Sequence, residues 1–100
     1  MGLSFEVLIV PAEDLPGIWV ALCPQLGVCT QGTSVPNAVE MAQEAIELSI
    51  EDDLAEGRDP LDRERHDQWW DERRRELEEA RGGQDPDRVV ERVTVEWGGA

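Results

Sequence analysis

Residues 17 to 48 read Gly-Ile-Trp-Val-Ala-Leu-Cys-Pro-Gln-Leu-Gly-Val-Cys-Thr-Gln-Gly-Thr-Ser-Val-Pro-Asn-Ala-Val-Glu-Met-Ala-Gln-Glu-Ala-Ile-Glu-Leu, and their punctuation leaves the backbone few choices. Ile18 to Cys23 is a strand with Trp19, Ala21 and Cys23 on one side and Ile18, Val20 and Leu22 on the other. Pro24-Gln-Leu-Gly27 turns the chain, and Val28 to Gln31 is the next strand, closed by Gly32. Connections this short favour an antiparallel meander over parallel crossovers. Ser34 is the expected N-cap of a following helix, with Thr33 as the alternative, and Pro36 falls in the first turn, where its missing N–H costs nothing.

That helix carries Val35, Ala38, Val39, Ala42, Ala45, Ile46, Ser49, Ile50 and Leu54 at three- and four-residue steps, a core-facing stripe of about five turns. Met41, Leu48 and Ala55 form a smaller flanking stripe, and Gly57 is the expected residue just past the C-terminus. Upstream, Leu3 to Val10 makes a first strand with Phe5, Val7 and Ile9 on one face and Ser4, Glu6 and Leu8 on the other. Pro11 ends it and a loop runs to Gly17. Beyond Gly57 the composition changes. Leu61 to Arg81 reads as an acidic surface helix anchored by Trp69, Trp70 and Leu77, stopped by Gly82-Gly83. Arg63 with Asp67 and Asp71 with Arg75 stand at i,i+4 spacing. Val89 to Trp97 restores strand alternation, with Val93, Val95 and Trp97 on one face. The expectation is an α+β fold: a small antiparallel sheet in the order β-β-β-α-[inserted α]-β, the main helix packed on one face and no third layer. Residues 1–57 form its core unit, 58–87 an inserted acidic helix and loop, and 88–100 the final strand and tail.

Composition narrows the function classes. The 100 residues carry a formal charge of −14, and all nine basic residues are Arg. Such a field repels phosphates, so direct nucleic-acid binding by this chain is not expected, whereas a basic protein partner is attracted. Acidity also serves solubility alone. No apolar run nears the roughly 20 residues of a membrane span, and no secretory signal opens the chain, so a cytoplasmic protein is expected. Cys23 and Cys29 flank the Pro24–Gly27 turn; a cross-strand disulfide is conceivable, but two buried thiols fit that setting better. With His66 far off in sequence they form no zinc-ligand pattern.

Catalysis finds little support in the residues. A two-metal nuclease needs several carboxylates on adjacent strands, and the first strand offers only Glu6. Glu40, Glu44, Glu47 and Glu51 read as the solvated face of the long helix, and no cofactor or metal site is expected. The Trp69-Trp70 pair has two readings: one ring folding the helix onto the sheet while the other half-covers the surface, or an aromatic anchor at a protein interface. Arg73 to Arg75, set among Glu72, Glu76, Glu78 and Glu79, reads as an internally paired face.

Gly17, Trp19, Val20 and Ala21, then Pro24, Leu26 and Gly27, then Thr30, Gln31, Gly32 and Ser34, then Ala38, Glu44 and Ala45 together resemble the HicB-like antitoxin family, a degraded ribonuclease-H-like fold. The resemblance spans residues 3–57, and residues 89–97 fit the family's fourth strand. Two positions depart from its pattern: Thr33 stands where an acid is usual, and Asn37 replaces the capping-box acid, weakening the cap. Only three residues follow Trp97, so the operator-binding domain many relatives carry is not expected here. The resemblance implies a type II toxin-antitoxin system. In it this chain binds and masks a small basic HicA-type toxin that cleaves mRNA, and it forms a homo-dimer or tetramer. The alternative is an orphan homo-oligomeric binding or regulatory protein using exposed sheet edges and the Trp helix. Candidate partner contacts are Glu13 and Asp14 on the first loop and Trp69, Trp70, Glu72, Glu76 and Glu79 on the inserted helix.

Overall fold

A computed structural model describes residues 2–59, 68–82 and 86–96. Three strands, β1 (Gly2–Pro11), β2 (Trp19–Cys23) and β3 (Val28–Gly32), lead into helix α1 (Val35–Ala55); helix α2 (Gln68–Gly82) and strand β4 (Val89–Glu96) follow. The sheet order is β3-β2-β1-β4 with every pairing antiparallel. The chain is therefore an α+β fold in the order β-β-β-α-α-β. Trp97, His66 and the Arg63–Asp67 pair lie outside the described residues.

The long central strand β1 is why the two ends of the chain meet. Its N-terminal half pairs with β4, placing Phe5 opposite Val93, and its C-terminal half is flanked by β2 and β4 together, with Leu8 between Leu22 and Val90. Side chains alternate across the sheet. One face presents Phe5, Val7, Ile9, Ala21, Cys23, Val93 and Val95 to Ala38, Ala42, Ile46 and Ile50 of α1. The small Ala38 and Ala42 let the helix sit close, and Gly32 shows how close: a Cβ there would lie 2.5 Å from the Ala38 nitrogen.

The opposite face is not bare. Leu8 and Leu22 are covered by Trp70, Leu77 and Ala80 of α2, with Val10, Val20 and Val90 half-buried around them. This is a third layer where a two-layer body was expected. It accounts for the end of β1 turning continuously apolar, since Leu8 needs cover as much as Val7 and Ile9 do. Arg81 in the last turn of α2 clamps Glu6 of β1 through two bonds of 2.6 Å, tying the helix to the strand. Both carboxylate oxygens of Glu6 are thereby engaged.

Both ends of α1 follow local chemistry. Ser34 is extended and its Oγ accepts from the Asn37 N–H at 3.1 Å. Asn37 Oδ1 in turn accepts the Thr33 N–H at 2.9 Å, one residue before the N–H that a capping-box acid engages, so Asn37 ties the entering chain to the first turn. At the other end Gly57 adopts φ 74°, Gly57 N–H bonds to Leu54 O and Arg58 N–H to Asp53 O, a complete Schellman arrangement. One core position differs from the sequence reading. Leu54 is 43% exposed and Asp53 is 1% exposed. Position 53 follows Ile46 by seven residues and Ile50 by three, so it continues the stripe, and its carboxylate is accommodated by the Arg58 Nε at 3.2 Å.

Candidate functional site

Two surfaces stand out, on opposite sides of the sheet. The first is a groove of about 460 Å³ beside α2. Helix α2 lies over the β1–β4 half of its face, leaving Val20, Leu22 and Cys29 as an apolar floor toward β3, walled by Glu13 on one side and by Trp69, Arg73 and Glu76 on the other. Trp69 is 46% exposed at this rim. It is held from two directions: edge-on by Trp70 at 4.7 Å between ring centroids, and by the Arg73 guanidinium 4.9 Å from its own centroid.

Three of the residues singled out from sequence, Glu13, Trp69 and Glu76, meet at this groove. Asp14 is exposed on the same loop as Glu13. Trp70 does not join them; it is 7% exposed and packs among Leu8, Leu22 and Leu77, so it serves as the anchor inside the fold while its neighbour stays outside. Glu72 and Glu79 point to other cations, Arg73 at 3.6 Å and Arg88 at 3.5 Å. Glu76 pairs with Arg73 at 3.1 Å. Asp71 takes Arg74 at 2.7 Å, at i,i+3, rather than Arg75. Of the five acids of α2, Asp71, Glu72 and Glu76 thus pair with arginines of the same helix and Glu79 with Arg88 beyond it.

The second surface is the solvent side of α1. Residues 35–55 contain Glu40, Glu44, Glu47, Glu51, Asp52 and Asp53 and no basic residue. Asp53 turns into the core; Glu40, Glu44, Glu51 and Asp52 are exposed and Glu47 is half-buried, accepting from Gln43 at 3.4 Å. Helix α1 carries six of the 23 acidic residues and none of the nine Arg, whereas Glu72, Glu76 and Glu79 each lie beside an Arg. Periodicity placed the glutamates on one face; what it did not reveal was that α2's acids would find partners and α1's would not.

The two cysteines separate. Leu22 pairs with Cys29 and Cys23 with Val28, so the two thiols project from opposite faces of the hairpin and cannot bridge. Cys23 is buried under α1 and Cys29 is exposed at the groove, where two buried thiols were expected. Burial pushes the Cys23 thiol pKa up against the opposing pull of backbone hydrogen bonds from Leu26 and Gln25, and partial desolvation raises Cys29 as well.

Among the described residues no helix is long and apolar enough to cross a membrane. No protein-family model, curated protein or solved structure matches this chain.

Proposed function

We propose that this protein is a non-catalytic, HicB-like antitoxin acting in the cytoplasm, which binds a small basic HicA-type ribonuclease and masks its RNA-binding surface. The observation that carries the reading is the uncompensated carboxylate face of α1. A row of acids with no cation among them mimics the charge of a phosphate backbone, and a rigid helix presents it at fixed spacing. The motif residues of the hairpin and helix start, from Gly17 to Ala45, support the family resemblance.

The mechanism is competitive shielding. Attraction between the acidic helix and a basic groove speeds encounter, and the folded domain then excludes RNA by occupying its site. Interface charges exert most of their effect on the association rate, which falls with salt by at least about tenfold for steered pairs. The test is co-expression with the product of the neighbouring open reading frame, expected to be a short basic protein, followed by a binding titration. Relief of toxicity and tight, salt-sensitive binding are expected. Changing Glu40, Glu44, Glu47 and Glu51 together to Gln should abolish both, whereas changing Glu72 and Glu79 to Gln should leave them intact. Protection that survives loss of the α1 acids would sink the masking mechanism.

A further inference from the structure

The groove beside α2 lies across the sheet from the acidic face of α1, and the masking reading makes no use of it. Its volume of about 460 Å³ is that of a small-molecule site. The floor, Val20 and Leu22 with Cys29 beside them, is apolar. What the groove can hold is set by which of its charged groups are still without a partner.

The two walls differ in that respect. Arg73 Nη2 already serves Glu76 at 3.1 Å and Glu72 at 3.6 Å. Arg88 donates to Glu79 at 3.5 Å, and Asp87 is engaged as well. Glu13, on the facing wall, is exposed and makes no hydrogen bond or ion pair among the described residues. An incoming anion would find both arginines occupied and would enter against a net charge of −14. An incoming cation gains the Glu13 carboxylate and is drawn by the same field.

Trp69 adds the second element. Its ring is 46% exposed at the rim, opposite Glu13. Trp70 and the Arg73 guanidinium hold it in place at 4.7 and 4.9 Å, so a ligand need not order it on arrival. An indole offers both a large apolar contact and an attractive π face for an ammonium group.

We infer that the groove binds a small organic ammonium ion with an apolar body, an alkyl- or aralkylamine. The ammonium group donates to the Glu13 carboxylate, and the hydrocarbon part lies over Val20 and Leu22 against Trp69. Neither half is enough alone. An exposed ion pair at Glu13 is worth little in water, and the apolar floor by itself fixes no orientation. This site is on the other face of the sheet from the masking surface and needs no protein partner, so each idea can fail without the other.

The experiment is an NMR titration of the full chain with phenethylammonium, read at the backbone amides of Val20, Leu22 and Cys29. Saturable shifts centred on those residues are expected, half-complete near about 1 mM for a ligand of this size. Hydrocinnamate has a similar body and the opposite charge; methylammonium has the charge and no body. Each should bind at least about tenfold more weakly. Glu13→Gln, on an exposed loop, should weaken phenethylammonium by about tenfold, and Trp69→Ala by about threefold or more. Glu91→Gln removes the same charge from an exposed position on β4 and should change nothing. Failure to saturate, equal binding of hydrocinnamate or methylammonium, or an unaltered affinity in Glu13→Gln would overturn the inference. So would tighter binding of Nα-acetyl-lysinamide, which would transfer the groove to a protein side chain.

Discussion

Gly32 is the residue on which the hairpin and the long helix both depend. Its Cα faces the first turn of α1 so closely that a methyl group would meet the Ala38 nitrogen at 2.5 Å and the Ala38 Cα at 2.7 Å, both backbone atoms that cannot swing away. Gly32→Ala should therefore cost about 1–3 kcal/mol through overpacking, read as a lowered urea midpoint with an unchanged m-value. An unaltered midpoint would show that the strand–helix junction has slack. The cysteines give a second residue-scale prediction. One equivalent of a thiol reagent should label Cys29 in the folded protein, slowly at neutral pH because its pKa is raised, while Cys23 should react only on unfolding. Burial of Cys23 also has a pH signature. Its folded pKa lies above the ordinary 9.0, so the unfolded chain releases that proton first as pH rises. The stabilisation is complete below pH 9.0 and is lost progressively above it, which chemical denaturation at pH 7, 9 and 10 would detect. Cys23→Ser should flatten that alkaline decline.

At the scale of elements, α2 is the part whose attachment is most concentrated. Its grip on the sheet is Trp70, Leu77 and Ala80 over Leu8 and Leu22, supplemented by the Arg81–Glu6 clamp. Trp70→Ala removes the largest contact and should cost about 3–5 kcal/mol, with α2 releasing while the α1 layer stays packed. The measurement is amide exchange, fast across 70–80 and still slow across Phe5–Ile9 and Ile46–Ile50. Trp69→Ala should be nearly neutral for folding, because that ring is 46% exposed. Equal losses from both variants would contradict the division of the pair into an inner anchor and an outer rim. Much of α2 was legible beforehand: a helix running to Arg81, stopped by the glycines after it and anchored by the Trp pair and Leu77; residues 61–67 of that expected helix lie outside the described residues. Its docking partner was not, because Leu8, Val20 and Leu22 could equally have faced solvent in a two-layer protein; a strand's alternation says which residues share a face, never whether that face is covered.

The whole molecule is polarised by charge. On one side of the sheet α1 carries six acids and no basic residue, whereas α2 on the other side mixes five acids with four arginines. Its stability should rise with added salt as repulsion along α1 is screened, and Glu44→Gln combined with Glu51→Gln should remove most of that salt response. A salt response unchanged in this double variant would place the repulsion elsewhere.

From the chain alone came the elements and their faces. The turn residues Pro24 and Gly27, the cap at Ser34, Gly57 beyond the helix and the stripe from Ala38 to Ile50 are local signals whose physics acts within a few residues, and each element formed where they placed it. Tertiary structure decided what no short-range pattern contains. It chose Asp53 over Leu54 for the last core position because an arginine five residues on could pair with it. It set Cys23 and Cys29 on opposite faces through a register offset of one. It sent Trp70 inward and Trp69 outward, and it set four of the five acids of α2 beside arginines. Those choices depend on which surfaces meet, and contact between segments distant along the chain is settled only when the sheet and both helices close together.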